Sequence, residues 1–502
     1  MKAKEYIREP DLLFGIDIET SYTKVAHLKL NTDGEQDEAI KVIQDWSVLG
    51  AQANDTAYLP TVLAYDKGRG LFDSAPAHAG FLNDQQRRDN DLEVFEWFKE
   101  SFPGNVRRGT GTEVNNRAAN SESTDTMILY RHFLENLLHA IKNYTINTIG
   151  LEFDETRIDF MFSVPATWNR VRDMLTTITQ RFEKVATKAG FADLDNSGLH
   201  RMFITLTEPE SAAAFSLRAE NGLFKDGNSV MVVDAGGGTT DICRLKIKHA
   251  HRGQLSIDPL SAPTGEELGS SHIDRGFERL ARDKLKDLAY KLNASWDATE
   301  MSHAMRWSRD YQESKFDLSL KRAMSDEHFT VAIPGINQLP DVLDLDYLVQ
   351  RPNRLKITYK SAAKDVDIIL LAGGLGQSSY LRDRIRMSLS DKQNPNAFQP
   401  LVRTLVEPQS CVCRGLLENR LFEMFRARKC NANYGVLQDK ALKLWKPMHL
   451  VAKVANQYRD IGGKRYMRRV EWLVEEGKII PDKTPTCIHV FEGAEQKVVE
   501  IL

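Results

Sequence analysis

Apolar positions along the chain form two alternating patterns. Short apolar runs that end in glycines or a turn predict strands, several of them buried on both faces; they are LLFGIDI, KVAHLKL, RIDFMFSV, SVMVVDAGGG and VDIILLAGG. Between these runs, apolar residues recur at helical spacing, as in the sets Tyr130, Phe133, Leu134, Leu137, Leu138 and Ile141, and Val171, Met174, Leu175, Ile178, Phe182 and Val185. The second of these helices is predicted to end at Gly190. Strands that alternate with helices predict an α/β fold.

Two stretches depart from this alternation. Residues 102–125 are polar, rich in Gly and Asn and nearly free of large apolar groups, which predicts a mobile loop or insertion. After about residue 430 the sequence changes to short strand-like pieces such as RVEWLVEEGKII and TCIHVFEG. The last part of the chain is therefore predicted to be β-rich and separate from the α/β part.

An internal repeat links two of the predicted strand pairs. When Asp17 is set over Asp234 without gaps, DIETSYTKVAHLKL lies over DAGGGTTDICRLKI. Each segment begins with an aspartate, passes through a turn rich in hydroxyls or glycine, and ends in a similar apolar and basic run. The match predicts a duplicated unit with one aspartate-headed turn in each half.

Size and composition limit the possible classes of protein. The chain has 502 residues, 42% of them hydrophobic and 27% charged, with a net charge of −3. This length suits two or three domains or lobes, and the near balance of charge argues against nucleic acid or a membrane surface as the main partner. No apolar run approaches the ~20 residues that span a bilayer, and the charged start MKAKEYIREP lacks the apolar segment of a signal peptide. We therefore expect a cytoplasmic protein.

The five cysteines are scattered along the chain, as expected of free thiols in a reducing compartment. Cys411 and Cys413 form a Cys-x-Cys pair, but no second pair or nearby histidine completes a zinc site. Small buried thiols are the favoured interpretation, and a metal role for them is the weaker one.

The segment VVDAGGGTTD carries the strongest chemical signal. Its three consecutive glycines allow backbone N–H groups to approach an anion without obstruction from a Cβ atom. The flanking hydroxyl and carboxylate groups can bind phosphate and a hydrated Mg²⁺. The residues concerned are Asp234, Gly236, Gly237, Gly238, Thr239 and Asp241. A plain glycine-rich turn between two strands is the alternative.

Two further segments are weaker signals on their own. LLAGGLGQSS runs from a strand through Gly373, Gly374 and Gly376 into a predicted helix, a turn that admits a phosphate or a flat ligand. Plain strand-to-helix turns look similar. In LTEPESAAAFSL, Glu208 precedes Pro209 at a predicted helix start. Its carboxylate is either a functional group or one that favours the helix dipole.

Six segments in order resemble the motifs of a known family; they are GIDIETSYT, FMFSVPATWN, TEPESAAA, VVDAGGGTTD, LLAGGLGQS and EPQSCVCRGLLE. They are similar to the nucleotide-binding domain of DnaK-type heat-shock chaperones, in the actin and sugar-kinase ATPase superfamily. The likeness is to the divergent branch of that family found in fungi and animals, and it covers about residues 11–430. It implies a two-lobed actin-like ATPase fold, in which duplicated ribonuclease-H-like lobes face a cleft that binds ATP or ADP.

The resemblance also implies a domain organisation. Lobe I is expected at residues 11–200, lobe II at 201–395, a helix returning to lobe I at 396–430, and a small β-rich C-terminal segment at 431–502. The last segment is too short for the peptide-binding β-sandwich and helical lid that such chaperones carry. No Leu-rich linker with acidic flanks precedes it. Refolding of client proteins in the ordinary sense is therefore not expected.

Residue roles follow from the same resemblance. Asp17 and Asp234 match aspartates that hold a hydrated Mg²⁺ through water, and Glu208 matches the carboxylate that orients the attacking water. Lys99 of EWFKESF is the candidate for the phosphate-side lysine that completes this catalytic set, although a lysine on an aromatic helix more often extends to water. Nucleotide contacts are implied for Thr20, Ser21, Gly236, Gly237, Gly238, Thr239, Asp241, Lys315, Gly373 and Gly374. Near Lys315, Gln312 and Phe316 replace the glutamate and arginine usual in the family.

Glu19 departs from the family pattern because it replaces the glycine expected between Asp17 and Thr20. A side chain here costs about 1–3 kcal/mol if the turn needs a positive φ or close phosphate contact. A carboxylate that faces phosphate adds repulsion of up to ~4 kcal/mol for each like-charge pair near ~4 Å. These costs are avoided if Glu19 binds Mg²⁺ itself or turns outward to solvent.

Three functions stay open at this point. The first is a chaperone-like switch, in which ATP draws the lobes together and slow hydrolysis releases them. The second is a non-hydrolysing scaffold or binding protein whose cleft is altered by Glu19. The third and weakest is a small-molecule kinase, for which no segment supplies a general base. A protein partner would bind through the lobe surfaces or the C-terminal segment.

Overall fold

The structure is a computed structural model. It describes residues 9–31, 38–51, 58–67, 75–82, 86, 91–102, 123–170, 178–193, 198–220, 222–251, 254–292, 295–317, 331–333, 366–389, 399–425, 427–429, 434–441, 459–461, 464–474, 478–481, 486–492 and 495–501. The chain divides into two compact units. The first comprises residues 1–256 and 263–424, and the second comprises residues 257–262 and 425–502.

The described residues form runs of strands separated by helices. The strands are β1 (Leu12–Ile18), β2 (Tyr22–Lys29), β3 (Lys41–Val42), β4 (Leu59–Pro60), β5 (Val62–Asp66), β6 (His78–Ala79), β7 (Leu92–Glu96), β8 (Ile158–Val164), β9 (His200–Thr207), β10 (Ser229–Ala235), β11 (Thr240–His251), β12 (Gln254–Pro259), β13 (Thr264–Glu266), β14 (Ile368–Ala372), β15 (Leu401–Thr404), β16 (Ala427–Lys429), β17 (Tyr434–Ala441), β18 (Arg459–Ile461), β19 (Lys464–Val474), β20 (Ile479–Pro481), β21 (Thr486–Glu492) and β22 (Glu495–Ile501). The helices are α1 (Phe98–Ser101), α2 (Ser123–Tyr144), α3 (Ile178–Lys188), α4 (Glu208–Ala219), α5 (Ser270–Leu292), α6 (Ala298–Trp307), α7 (Arg309–Asp317), α8 (Gly373–Gly376), α9 (Ser379–Leu389) and α10 (Cys411–Phe422).

Two six-stranded sheets have corresponding strand orders. The first has the order β3–β2–β1–β8–β9, with β4 also paired to β2, and the second has the order β12–β11–β10–β14–β15, with β13 also paired to β11. In the first sheet, β1 is antiparallel to β2 and parallel to β8; in the second, β10 is antiparallel to β11 and parallel to β14. The architecture is α/β, as the apolar pattern predicts.

The two leading hairpins also share one register, residue for residue. Asp17 on β1 pairs with Lys24 on β2, and Asp234 on β10 pairs with Asp241 on β11. Every other pair in the two hairpins corresponds in the same way under the gapless alignment of Asp17 with Asp234. The internal repeat read from the sequence is therefore present in the strand pairing. The equivalent positions Lys24 and Asp241 carry opposite charges.

Helix α10 packs against both the first sheet and helix α4. A Cβ atom at Gly415 would lie 1.7 Å from the backbone oxygen of Ser211, and one at Gly15 would lie 2.2 Å from the backbone oxygen of Cys413. Only glycine leaves room for the backbones to approach this closely. The packing thus holds together β1 and α4, two elements whose ends carry candidate functional carboxylates.

The described residues of the two predicted apolar stripes lie in one aromatic-rich core. The rings of Tyr130 on α2 and Phe182 on α3 meet edge to face with centroids 5.9 Å apart. Phe162 on β8 lies 5.3 Å from Phe182. Helix α3 is described from Ile178 onward, so residues 171–177 of the predicted helix lie outside the described residues.

The start of helix α2 corrects one prediction. The helix begins at Ser123, so residues 123–125 are helical and do not belong to the predicted loop. The physical reason is that Thr126 and Leu129 are already buried against the core. The buried face of the helix therefore starts about one turn before Tyr130, the first residue of the predicted apolar stripe. Residues 103–122 of the predicted loop lie outside the described residues.

Sheet membership differs from two of the expected lobe boundaries. Strand β9 pairs with β8 as far as Thr207, so residues 201–207, expected in lobe II, belong to the first sheet. Strand β15 pairs with β14, so residues 401–404, expected with the returning helix, belong to the second sheet. In both cases the parallel strand continues past the expected boundary before the next helix begins.

The second unit is rich in strands, as the sequence predicts for the end of the chain. Strand β16 pairs with β20, β17 and β18 flank β19, and β21 pairs with β22. All three groups are antiparallel. Its C-terminal part begins at Phe425, slightly before the expected boundary at residue 431, and the unit also includes residues 257–262.

Two expectations from composition can be compared with the structure. Cys243, Cys411 and Cys413 are buried free thiols, in agreement with the favoured interpretation of the cysteines. Within the described ranges, no helix is at once long and apolar enough to cross a bilayer.

Candidate functional site

The turns of the two leading hairpins meet face to face. The β1–β2 turn carries Thr20 and Ser21, and the β10–β11 turn carries the three glycines. A Cβ atom at Gly238 would lie 2.2 Å from Thr20 Oγ1, and one at Gly237 would lie 2.8 Å from Ser21 Oγ. Glycine is required here because any side chain would hold the turns apart. The two segments predicted to bind phosphate therefore lie together.

Four buried carboxylates gather beside these turns; they are Asp17, Glu208, Asp234 and Asp241. Asp17 accepts a hydrogen bond from Ser163 Oγ at 3.4 Å, and Asp241 accepts one from the backbone N–H of Thr167 at 3.3 Å. Buried carboxylates are rare unless they are paired or hold a cation. Such a concentration of them indicates a functional site.

Burial and mutual repulsion favour the protonated forms of these groups. Burial raises the pKa of Asp17 to about 8, and the negative charge of Glu19 adds to the effect. Burial also raises the pKa of Glu208 to about 7 and that of Asp241 to about 6. The pKa of Asp234 is well above its ordinary value because of burial and then the charges of Glu19 and Glu208. A bound cation would stabilise the charged forms and release these protons.

Lys24 forms a buried ion pair with Glu19. Its Nζ lies 2.5 Å from Glu19 Oε1 and 3.9 Å from Asp17 Oδ2. Burial alone would lower the pKa of Lys24, but the charges of Glu19 and Asp17 outweigh it and hold that pKa above its ordinary value. The ammonium therefore stays charged at neutral pH and neutralises the carboxylate of Glu19.

This pairing excludes one of the two alternatives for Glu19, that its side chain turns outward to solvent. Glu19 is 7% exposed, and its backbone N–H and carbonyl bond to Tyr22 and Thr61. Among the described residues, a positive φ outside glycine occurs at Trp97, Glu407 and Glu423, so Glu19 has an ordinary backbone conformation. The presence of Glu19 in place of glycine therefore has neither of the expected costs in the protein without ligand. The backbone of Glu19 is unstrained, and its charge is paired with Lys24.

Lys99 points into the site. Its Nζ donates hydrogen bonds to Glu208 Oε1 at 2.6 Å and to the backbone oxygen of Ile18 at 2.5 Å. The residue is 5% exposed, so the alternative that this lysine extends to water is wrong. Burial alone would lower the pKa of Lys99, but the charge of Glu208 raises it above its ordinary value. The site thus contains two permanent cations, on Lys99 and Lys24.

The turn that contains the three glycines is hydrogen-bonded to the first residues of helix α5. The N–H of Gly236 donates to the backbone oxygen of Thr239 at 3.0 Å, which closes the turn. The N–H groups of Ser270 and Ser271 donate to the carbonyls of Gly236 and Gly237 at 3.1 and 2.8 Å. These bonds therefore attach the turn to the start of helix α5.

The other end of the site contains Lys315. Its Nζ donates to both carboxylate oxygens of Asp274, at 2.7 and 2.9 Å, and the hydroxyl of Tyr311 donates to the same group at 2.9 Å. Gln312 donates to the backbone oxygen of Arg306 at 2.8 Å. One open cleft runs from the hairpin turns to this cluster; its lining includes Thr20, Ser21, Gly237, Ser270, Asp274, Gln312, Lys315, Gly374 and Ser378.

Most of the predicted site residues come together. Gly373 adjoins the carboxylates, because a Cβ atom there would lie 2.4 Å from Asp234 Oδ1. Thr239 bonds to Asp241, and that bond acts to lower the pKa of the aspartate. The residues of the cleft that the sequence did not predict include Lys24, Trp97, Asp274 and Arg306. The repeat contained a signal for Lys24, since it sets this lysine over Asp241.

Comparisons with known proteins leave the chain unassigned. No family model matches the sequence, and a search of curated proteins finds no match. Backbone and hydroxyl donors from two turns, two lysines and a group of buried carboxylates suit a ligand that combines phosphate groups with a cation.

Proposed function

We propose that this protein binds ATP and ADP in the cleft between two lobes of an actin-like ATPase domain of the heat-shock-chaperone type. ATP draws the lobes together, and slow Mg²⁺-dependent hydrolysis releases them, so the protein is a nucleotide-driven conformational switch. It acts in the cytoplasm on a protein partner, bound through the lobe surfaces or the C-terminal segment.

The observation that carries this proposal is the contact between the two hairpin turns. Gly238 approaches Thr20 so closely that a Cβ atom would lie 2.2 Å from the threonine hydroxyl. The common register of the hairpins and the common strand order of their sheets support a duplication of lobes. Two such turns around one cleft can donate hydrogen bonds to a chain of phosphates from opposite sides.

Buried carboxylate oxygens beside the turns fit a hydrated magnesium ion. Asp17 Oδ2 and Asp234 Oδ1 are buried and have no hydrogen-bond partner among the described residues. Within the same part of the chain, no group of three or more acidic, histidine or cysteine side chains is suited to hold a metal directly. Asp17 and Asp234 would therefore hold Mg²⁺ through water, which suits an ion that usually keeps several waters. When bound, the ion neutralises charge on the phosphates.

Glu208 and Lys99 have properties that support slow hydrolysis. Burial raises the pKa of Glu208 to about 7, so at neutral pH its carboxylate can orient a water molecule and accept a proton from it. The ammonium of Lys99, 2.6 Å from that carboxylate, fixes its orientation. The same ammonium puts a positive charge where negative charge would develop on the ligand.

A non-hydrolysing relative is the second candidate, and the Lys24–Glu19 pair favours it. The pair fills part of the first turn beside Thr20, at the position where the resembled family has glycine. A pair that stays in place when nucleotide binds would exclude phosphate from that part of the turn. The protein would then hold nucleotide without turning it over and would act as a scaffold or binding protein.

Thermal unfolding and phosphate release test both candidates. Mg-ATP and Mg-ADP should each raise the thermal midpoint, because a ligand at ~100 times its Kd stabilises the folded state by about 2.7 kcal/mol. The wild-type protein should release phosphate slowly, and Glu208→Gln should keep nucleotide binding while losing that release. An unchanged midpoint with both nucleotides overturns the proposal. Binding without phosphate release by the wild type selects the second candidate.

A further inference from the structure

Five consecutive residues, 96–100, form a coupling segment that contacts both sides of the cleft. The segment EWFKE joins the end of β7 to the short helix α1. Three of its side chains contact helices α5 and α6, which belong to the second-sheet side. Phe98 contacts the first-sheet side. Lys99 bonds both to Ile18 on that side and to Glu208 at the start of α4, which packs against β10 and β11 of the second sheet. Because this short segment contacts both sides of the cleft, a movement of one side relative to the other must also move the segment.

The contacts with the second-sheet side are ionic and aromatic. Glu96 Oε2 accepts a hydrogen bond from Arg306 Nη2 at 2.6 Å, in a pair that is nearly fully buried. Glu100 accepts a hydrogen bond from Ser271 Oγ at 2.8 Å and forms an ion pair with Arg275. A buried guanidinium–carboxylate pair is strongly oriented because its geometry is planar and directional.

Trp97 lies between these two arginines. The guanidinium carbons of Arg275 and Arg306 are 4.7 and 4.6 Å from its ring centroids, within the range of cation–π attraction. Trp97 also has a φ of 57°, a left-handed conformation that a bulky aromatic residue rarely adopts. Strain of this kind persists only where surrounding contacts impose it, and it concentrates at functional sites.

Phe98 anchors the segment to the first-sheet side, and Lys99 bridges β1 and the start of α4. Phe98 packs edge to face on Tyr130, with ring centroids 5.5 Å apart, and so anchors α1 to the core. Lys99 donates to Ile18 and Glu208, as described above. Helix α1 has four residues, so the position of Lys99 depends on its immediate neighbours. Those neighbours, Trp97 and Glu100, are held by the second-sheet side.

We propose that Trp97 is a positioning residue that couples closure of the cleft to the placement of Lys99. This inference rests on the proposed function. When the two sides close, the arginines hold Trp97 in its left-handed conformation, and Lys99 is directed at Glu208. When the sides part, Trp97 is released and Lys99 withdraws. Lys99 lies beside Glu208, the candidate water-orienting carboxylate. The position of Lys99 should therefore affect binding of the terminal phosphate, which ATP has and ADP lacks.

The test compares ATP with ADP in Trp97→Ala and Trp97→Phe. Loss of two cation–π contacts should weaken ATP binding about tenfold or more in Trp97→Ala. ADP binding should change much less. Trp97→Phe keeps an aromatic face for the arginines and should restore most of the preference for ATP. Arg309→Ala is the matched control, since Arg309 pairs on the surface with Glu313, and it should leave both affinities unchanged.

A double-mutant cycle with Lys99→Met separates positioning from a merely structural role. If Trp97 acts through Lys99, Trp97→Ala should have little further effect on ATP affinity once Lys99 is Met. Circular dichroism should show that each variant is folded, and Arg275→Gln offers a milder change of the same cluster. Equal weakening of ATP and ADP by Trp97→Ala, or the same loss in both backgrounds, overturns this inference and leaves the proposed function standing. Absence of nucleotide binding by the wild type overturns both.

Discussion

Lys24 and Glu19 form a buried ion pair inside the turn of the first hairpin, with 2.5 Å between Nζ and Oε1. The pair explains how a carboxylate is accommodated at a position where the resembled family has glycine. Lys24 supplies the neutralising charge from the neighbouring strand, directly across from Asp17. The replacement and its compensation therefore lie within one hairpin and can be tested with single substitutions.

Removal of Lys24 should destabilise the protein strongly. Lys24→Met leaves Glu19 buried without its partner, and such a loss typically costs about 3–5 kcal/mol of unfolding free energy. The double variant Lys24→Met with Glu19→Gln should recover much of this, because no lone charge remains. Urea unfolding measures all three proteins. Lys41→Met removes an exposed pair with Glu38 and should change stability little; equal effects of Lys24→Met and Lys41→Met would contradict the prediction.

Replacement of Glu19 by glycine should tighten ATP binding. Glu19→Gly removes a like charge from the phosphate side and frees the Lys24 ammonium to face the ligand. Relief of one such repulsion should amount to about tenfold or more in Kd. Titration with Mg-ATP measures the change. Glu19→Gln is the matched control that removes charge but keeps bulk, so it separates the two effects. An unchanged Kd in both variants would mean that Lys24 already cancels the charge.

Stability without ligand should fall as the pH rises from the ordinary carboxyl pKa towards about 8, and should level off above that pH. Asp17 and Glu208 have folded-state pKa values of about 8 and about 7, above their ordinary values. The folded state therefore binds more protons than the unfolded state, and the stabilisation is lost as the pH rises through those values. Urea unfolding from about pH 6 to about pH 9 should show this slope. Asp17→Asn should flatten it, and stability that increases over this interval would refute the assignment.

Contact between the two turns should depend on Gly238. In Gly238→Ala, the new Cβ atom would lie 2.2 Å from Thr20 Oγ1, and one of the turns must move. Overpacking of this kind typically costs about 1–3 kcal/mol. We expect a lower thermal midpoint and a smaller rise on addition of Mg-ATP. Gly276→Ala, where nothing lies within 4 Å of the added atom, is the control. A normal response to Mg-ATP in Gly238→Ala would argue against the shared site.

Local sequence patterns predicted the scaffold well. The apolar runs ending at Asp17 and Asp234 are the strands β1 and β10, because a strand buried on both faces must be apolar almost throughout. The glycines after Asp234 indicated a close approach, and Gly238 makes one with Thr20. These features are local, so the sequence contains enough information to find them.

Long-range pairings were harder to predict. The partner of Glu19 is on the adjacent strand, while Lys315 bonds to Asp274 on another helix. No periodicity or motif specifies which lysine meets which carboxylate, because the choice depends on how helices pack. The lobe boundary near residue 201 was misplaced for a related reason. Strand β9 continues to Thr207 because it pairs with β8, a neighbour distant in sequence.

The opposite charges of Lys24 and Asp241 give the two halves of the repeat different chemistry within the same geometry. A symmetric pair of hairpins would accept an anionic ligand equally well in either direction. Here one wall carries an ammonium at the position where the other carries a carboxylate. A linear ligand with its charge at one end therefore has one preferred orientation, set by the difference between Lys24 and Asp241.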